Sequence, residues 1–185
     1  MGTTATTHWH SLHGVLLVVR NSGVLLTGPS GCGKSSLALE LIATGHTLLS
    51  DDAPLLRVTQ ESRLEGCCPP LLHALLHVRG LGVINVARLY GEQAVTERHV
   101  IDLWIQLGNT SPSLCEPTHA THLQQTLLFG VRLPMFQLPM TPGLNRATWI
   151  ECAVRLVQQT AAGLHNSHEL AHRQDQLLRG NASCV

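Results

Sequence analysis

The chain has 185 residues, 44% of them hydrophobic and 13% charged, which is the composition of one globular domain with a buried core. Twelve Lys and Arg balance twelve Asp and Glu, so the formal net charge is zero and gives no electrostatic ground for a nucleic-acid partner. An aromatic content of 3% leaves few rings for a base-stacking platform.

The opening MGTTATTHWHSLH is polar and lacks the basic n-region of a secretory signal. No apolar run approaches membrane-spanning length. The six cysteines (Cys32, Cys67, Cys68, Cys115, Cys152 and Cys184) form no C-x-x-C pair. A reduced, cytoplasmic protein without a membrane partner is the expectation. Residues 1–12 read as a leader. His8, His10 and His13 are spaced closely enough to suggest a metal site, but no cysteine pair or H-E-x-x-H pattern completes one, and surface histidines are the plainer reading.

Val15–Val19 and Val24–Thr27 are apolar runs parted by Arg20-Asn21-Ser22-Gly23, which is hairpin chemistry. Leu37, Ala38, Leu41 and Ile42 recur at helical spacing over Ser35–Ala43, and Gly45 closes that helix. Thr47–Ser50 and Leu55–Thr59 read as strands, and residues 60–70 with Pro69-Pro70 as loop. His77–Val86, apolar but broken by Gly80 and Gly82, reads as a strand or loop passing close to something. Val100–Leu107 is a strand, residues 108–118 a turn-rich stretch, residues 119–128 a short helix and Phe136–Met140 a last strand. Asn145 then leads into a long helix, Arg146 to Gly163, with Ile150, Val154 and Val157 on its apolar side. Many strands and few helices give an α/β fold of mixed α+β character over residues 13–165, with 166–185 a tail.

The chemistry is concentrated in Gly28-Pro29-Ser30-Gly31-Cys32-Gly33-Lys34-Ser35-Ser36. It fits G-x-x-x-x-G-K-[ST] and contains the only lysine of the chain. Glycines let backbone N–H groups converge on phosphate oxygens, and the following helix adds the positive end of its dipole. In such a loop Lys34 neutralises the β- and γ-phosphates of ATP, and the Ser35 hydroxyl ligates Mg2+. An apolar strand runs in and a helix runs out, as the motif requires. The alternative is a glycine-rich turn that binds nothing. Asp51-Asp52 ends the next strand, where such folds hold magnesium or position a nucleophile. Because side chains alternate along a strand, one of the two is expected to face the phosphates. The alternative is an exposed turn pair.

Together these stretches resemble the C-terminal catalytic domain of HPr kinase/phosphorylase, in its short, kinase-domain-only form. That family carries a His-Gly before its first strand, a P-loop, a double aspartate and an E-V-R-G-[LI]-G-I-I-N signature. This chain has His13-Gly14, GPSGCGKS, Asp51-Asp52 and His77-Val78-Arg79-Gly80-Leu81-Gly82-Val83-Ile84-Asn85. The resemblance implies a P-loop kinase fold of the phosphoenolpyruvate-carboxykinase-like type, assembled as a homo-hexamer. It also implies ATP-dependent transfer to a serine of an HPr-like phosphocarrier, with a role in carbon use. His13 and Lys34 match the family's active-site histidine and lysine. Ser35 matches its magnesium-binding hydroxyl, with Asp51 a further metal ligand. Asp52 matches the carboxylate that takes the serine proton, and Arg79 and Gly80 match the signature.

The chain departs from the pattern in three places. His77 stands where the signature begins with a magnesium-binding glutamate, and imidazole is a poor partner for a hard cation. Thr141-Pro142-Gly143-Leu144-Asn145 stands where the family has a turn like R-P-G-R-N, so both arginines are missing and Arg146 falls one place too late. Before Val131-Arg132-Leu133-Pro134 a further arginine has no counterpart, only His119 and His122. Phosphorolysis should suffer most. The other readings are an ATP-binding regulatory module that has lost catalysis, and a small-molecule kinase on the same scaffold.

Overall fold

The computed structural model describes residues 8–108, 123–139 and 143–163. The first hairpin forms as expected, but with a shorter turn, because Ser22 and Gly23, read as turn, already belong to the second strand. β2 (Val15–Val19) and β3 (Ser22–Thr27) pair antiparallel through Arg20-Asn21. Both turn residues have positive φ, 49° and 65°, the two-residue connection whose twist suits paired strands.

α1 (Lys34–Ala43) ends as Gly45 predicts. Gly45 has φ 96°, its N–H donates to Ile42 O, and the N–H of His46 donates to Leu41 O. β4 (Thr47–Ser50) and β5 (Leu55–Val58) follow in place.

The stretch 60–70 is not all loop, because β6 (Leu64–Cys67) pairs antiparallel with β5. Only Leu64 in it is a large apolar side chain. A Cβ on Gly66 would meet Leu16 Cδ1, so the side chain of Leu16 fills the space over this strand. The two glycines of the next stretch divide it into a ribbon, β7 (Leu75–Val78) and β8 (Gly82–Asn85), followed by the short α2 (Val86–Tyr90). β9 (Arg98–Gly108) is longer than expected.

Within the expected helix 119–128, Gln124–Leu128 is strand β10, paired antiparallel with β11 (Val131–Pro139). Tertiary pairing overrode a weak local signal there, and residues 119–122 lie outside the described ones. β11 begins well before Phe136. Pro134 argues against a strand by propensity, yet Val131, Leu133 and Met135 alternate inward around it. α3 (Arg146–Ala161) carries Asn145 as its N-cap, accepting from Thr148 N–H at 3.1 Å.

These strands form a nine-stranded sheet in the order β1 (His10–Ser11), β5, β6, β9, β3, β2, β4, with β11 on β9 and β10 on β11. His10 and Ser11, within the stretch 1–12 expected as a leader, thus pair with β5. β9 runs parallel to both β3 and β11. Both faces of β2 and β3 are buried, which is why they read as continuous apolar runs. Val15, Leu17, Leu26 and Ile105 pack with Leu37, Leu41, Ile150 and Val154 of α1 and α3. Leu16, Leu25 and Ile101 pack on the other side with Leu56, Leu64 and Leu133. The register of β3 on β9 slips between Gly23 and Val24. At that irregularity Gly23 N–H donates to the Asp102 carboxylate at 2.9 Å.

Glu151 of α3 holds the near edge together. It accepts from Arg20 of the hairpin turn at 2.8 Å and lies 3.1 Å from His46 after α1. Among the described residues no helix is long and apolar enough to cross a membrane.

Candidate active site

β3 delivers the chain to the glycine loop at the C-terminal edge of the parallel part of the sheet. The loop lies close against β9: a Cβ on Gly28 would collide with Leu107 O. Gly28, Gly31 and Gly33 have φ of 149°, 78° and 91°, a backbone that L side chains rarely adopt. Thr27, the last residue of β3, accepts from Trp104 Nε1 at 2.7 Å, which pins the strand as it enters the loop.

Lys34 opens α1 and is buried, its Nζ donating to Gly28 O at 3.0 Å and Pro29 O at 3.1 Å. Its charge is therefore held within the loop by loop carbonyls. Ser35 Oγ donates to Asp51 Oδ1 at 3.1 Å, and His77 N–H donates to Asp51 Oδ2 at 2.8 Å. Asp51 is only 6% exposed. Burial pushes its carboxyl above the usual range, and the hydrogen bonds from His77 and Ser35 offset part of that.

Asp52 behaves differently. Strand alternation would have sent one aspartate away, but both line the cleft, because Asp52 has left the strand with φ 66°. Ala53 N–H donates to Asp51 O at 2.9 Å across this turn. Asp52 Oδ1 stands 2.8 Å from His13 Nδ1, with both side chains more than half exposed. His13 and Asp52 are further joined through the backbone, Gly14 N–H donating to Asp52 O at 3.3 Å. The two carboxylates thus serve different neighbours: one is buried against Ser35, the other open beside an imidazole.

The ribbon β7–β8 brings the third part. Leu76 and Val78 are buried, so His77 between them faces outward into the cleft. Leu81 N–H closes the ribbon turn on Val78 O at 3.0 Å, with Gly80 at φ 90°. Arg79 in this turn comes back over the loop, its Nη2 3.4 Å from where a Cβ on Gly31 would be. Gly80 shapes the turn and does not line the cleft.

The cleft so enclosed has a volume of about 370 Å3 and joins His13, Lys34, Ser35, Asp51, Asp52 and His77. Ser30 and Ser36 also border it, whereas Cys32 packs beneath the loop, 3.1 Å from the Cβ position of Gly28. The turn to which Thr141 and Pro142 belong lies partly outside the described residues, as do His119 and His122. Among the described residues no group of three or more His, Cys, Asp or Glu gathers as a metal cage.

The arrangement can hold a polyphosphate, bring an oxygen-ligated cation to Ser35 and Asp51, and present a carboxylate to a hydroxyl. A family model described as HPr Serine kinase C-terminal domain matches residues 4–174. The chain is 38% identical over 172 residues to HPr kinase/phosphorylase of Azoarcus sp. (strain BH72), covering 92% of this chain and 55% of that one. It is 39% identical over 175 residues to the protein of that name from Nitrosomonas europaea, covering 92% and 54%. The chain therefore spans about half the length of the curated relatives it matches. A solved structure, of the Hpr(Ser) kinase/phosphatase from Coxiella burnetii, superposes with a TM-score of 0.77 at 32% identity. It covers 87% of this chain and 98% of that one.

Proposed function

The chain belongs to the family of the HPr serine kinase C-terminal domain, and from that premise we propose that it is an ATP-dependent protein-serine kinase acting on an HPr-like phosphocarrier. The observation that carries this reading is the pairing of Asp52 with His13 at 2.8 Å, in the cleft that the phosphate loop floors. A module that only bound nucleotide would have no use for an open carboxylate at that point.

The loop from Gly28 to Ser36 takes the ATP phosphates on its N–H groups, and Lys34 turns its ammonium from the loop carbonyls to the β- and γ-oxygens. Ser35 and Asp51 would hold Mg2+; their donors are oxygens and Asp51 is already oriented by His77 N–H, so the residues fit a hard cation. Bound there, the cation supplies neutralisation of phosphate charge. Asp52 accepts the proton of the target serine as its Oγ attacks the γ-phosphorus, and the bond to the ADP oxygen breaks. His13 orients Asp52 across their 2.8 Å contact. His77 supplies a backbone donor to Asp51 and adds no carboxylate to the metal site, which weakens transfer in both directions. Phosphorolysis is expected to be slow because Thr141 and Leu144 stand where the family has arginines.

The test is incubation with labelled ATP, magnesium and HPr from the same cell. Label on an HPr serine, lost in Asp52→Asn, supports the kinase. Tight ATP binding with no transfer to HPr or to any co-purified acceptor supports the second reading, a regulatory ATP-binding module. His77 is the feature that favours that module. Mass in solution tests the expected homo-oligomer.

A further inference from the structure

Arg146 lies one place beyond the turn in which the sequence would seek an arginine, yet in space it is not displaced from the phosphate loop. Its Nη1 is 3.9 Å from where a Cβ on Gly33, the residue before Lys34, would stand. Arg79 reaches the same loop at Gly31, at 3.4 Å by the same measure. One guanidinium comes from the β7–β8 ribbon and the other from the first residue of α3. A chain with zero formal net charge thus gathers two arginines and its only lysine around one short loop.

The backbone position of Arg146 is fixed by the packing of α3. Asn145 caps α3 on Thr148, Ala147 and Ile150 are buried in the core, and Trp149 packs edge-on against Phe136 with ring centroids 5.4 Å apart. The first turn of α3 therefore cannot rotate to carry its leading side chain elsewhere without breaking the core.

We infer that Arg146 is a second phosphate-binding arginine of this site, contacting the polyphosphate from the α3 side while Arg79 contacts it from the ribbon. A planar guanidinium gives paired, charge-assisted hydrogen bonds to phosphate oxygens, which a lysine cannot reproduce. The inference rests on the proposed function only as far as the loop's holding a nucleotide polyphosphate.

The test is titration of the whole protein with ATP and, separately, with inorganic tripolyphosphate. Arg146→Ala is expected to weaken both about tenfold, or about 1.4 kcal/mol, with Arg146→Lys recovering part of the loss. Unchanged affinity for both ligands overturns the inference. Loss for ATP alone also overturns it, since that puts the guanidinium on the base or sugar. If Arg146→Ala lowers the melting temperature, the comparison moves to Arg146→Lys against Arg146→Gln. Weaker binding of tripolyphosphate by the glutamine variant supports the inference, and equal binding overturns it. Binding of ATP without transfer to HPr would sink the kinase and leave Arg146 in place. Transfer with unchanged affinity in the variants would do the reverse.

Discussion

Ser35 Oγ donates to Asp51 Oδ1 at 3.1 Å, joining the first turn of the loop's helix to the end of the neighbouring strand. Burial makes the ionised Asp51 costly, and its carboxyl sits above the usual range for that reason. Asp51→Asn keeps the shape, lets the side-chain oxygen accept from His77 N–H, and removes the charge. The variant should melt no lower than the wild type near pH 7, while the gain in ATP affinity on adding magnesium falls at least about tenfold. Calorimetric titration with and without magnesium reads this directly. An unaltered magnesium dependence would remove Asp51 from the metal site.

Asp52 is open where Asp51 is buried, so its substitution should act on transfer alone. Asp52→Asn is expected to lower the transfer rate by about 10^2 to 10^4-fold, the usual range for a lost general base. The Kd for ATP should change by less than about threefold. His13→Ala should lie between the two, because it removes the partner and leaves the carboxylate. Single-turnover measurement beside a binding titration separates the effects.

Acid stability should report Glu151. Its carboxyl is held below the ordinary range, first by the hydrogen bond from Arg20 and then by that from His46. A lowered folded-state value means that the stabilisation is fully present above the unfolded value of about 4.5 and disappears as pH falls through the folded one. Glu151→Gln should cost about 1 kcal/mol near pH 7. The difference between variant and wild type should close in urea titrations taken to lower pH. A gap that persists in acid would assign the loss to packing instead.

Gly23 tests the join between β3 and β9. A Cβ there would strike Val100 O, a backbone atom that cannot step aside. Gly23→Ala should destabilise the fold by about 1–3 kcal/mol or more. Gly45→Ala meets nothing within 4 Å and bears only the cost of its φ of 96°, about 1–2 kcal/mol. Chemical unfolding of the two variants should rank them in that order.

The parts legible in the sequence are those fixed by local chemistry. Arg20-Asn21-Ser22-Gly23 marks a turn, Gly45 ends a helix, and the glycine–lysine loop dictates its own backbone. What escaped was decided across the chain. β6 has one large apolar residue and is a strand because β5 and β9 pair with it. β10 has a weak local signal and is a strand because β11 pairs with it. At the site, neighbouring aspartates were distinguishable as a pair, but their directions depend on one φ at Asp52 that no pattern encodes. Arg146 falls outside the turn when residues are counted along the chain, whereas its approach to Gly33 depends on how α3 packs.

The bond from Gly23 N–H to Asp102 spans 79 residues, and Leu107, against which Gly28 rests, lies just as far along the chain. During synthesis the phosphate loop therefore leaves the ribosome long before the strand that it must lean on. At about 5–20 residues per second the interval is roughly 4 to 16 s. The nascent chain spends that time with its most characteristic motif written and its support still unmade. The order of translation thus sets when nucleotide binding can begin, and truncations ending before residue 98, where β9 starts, should lack it altogether.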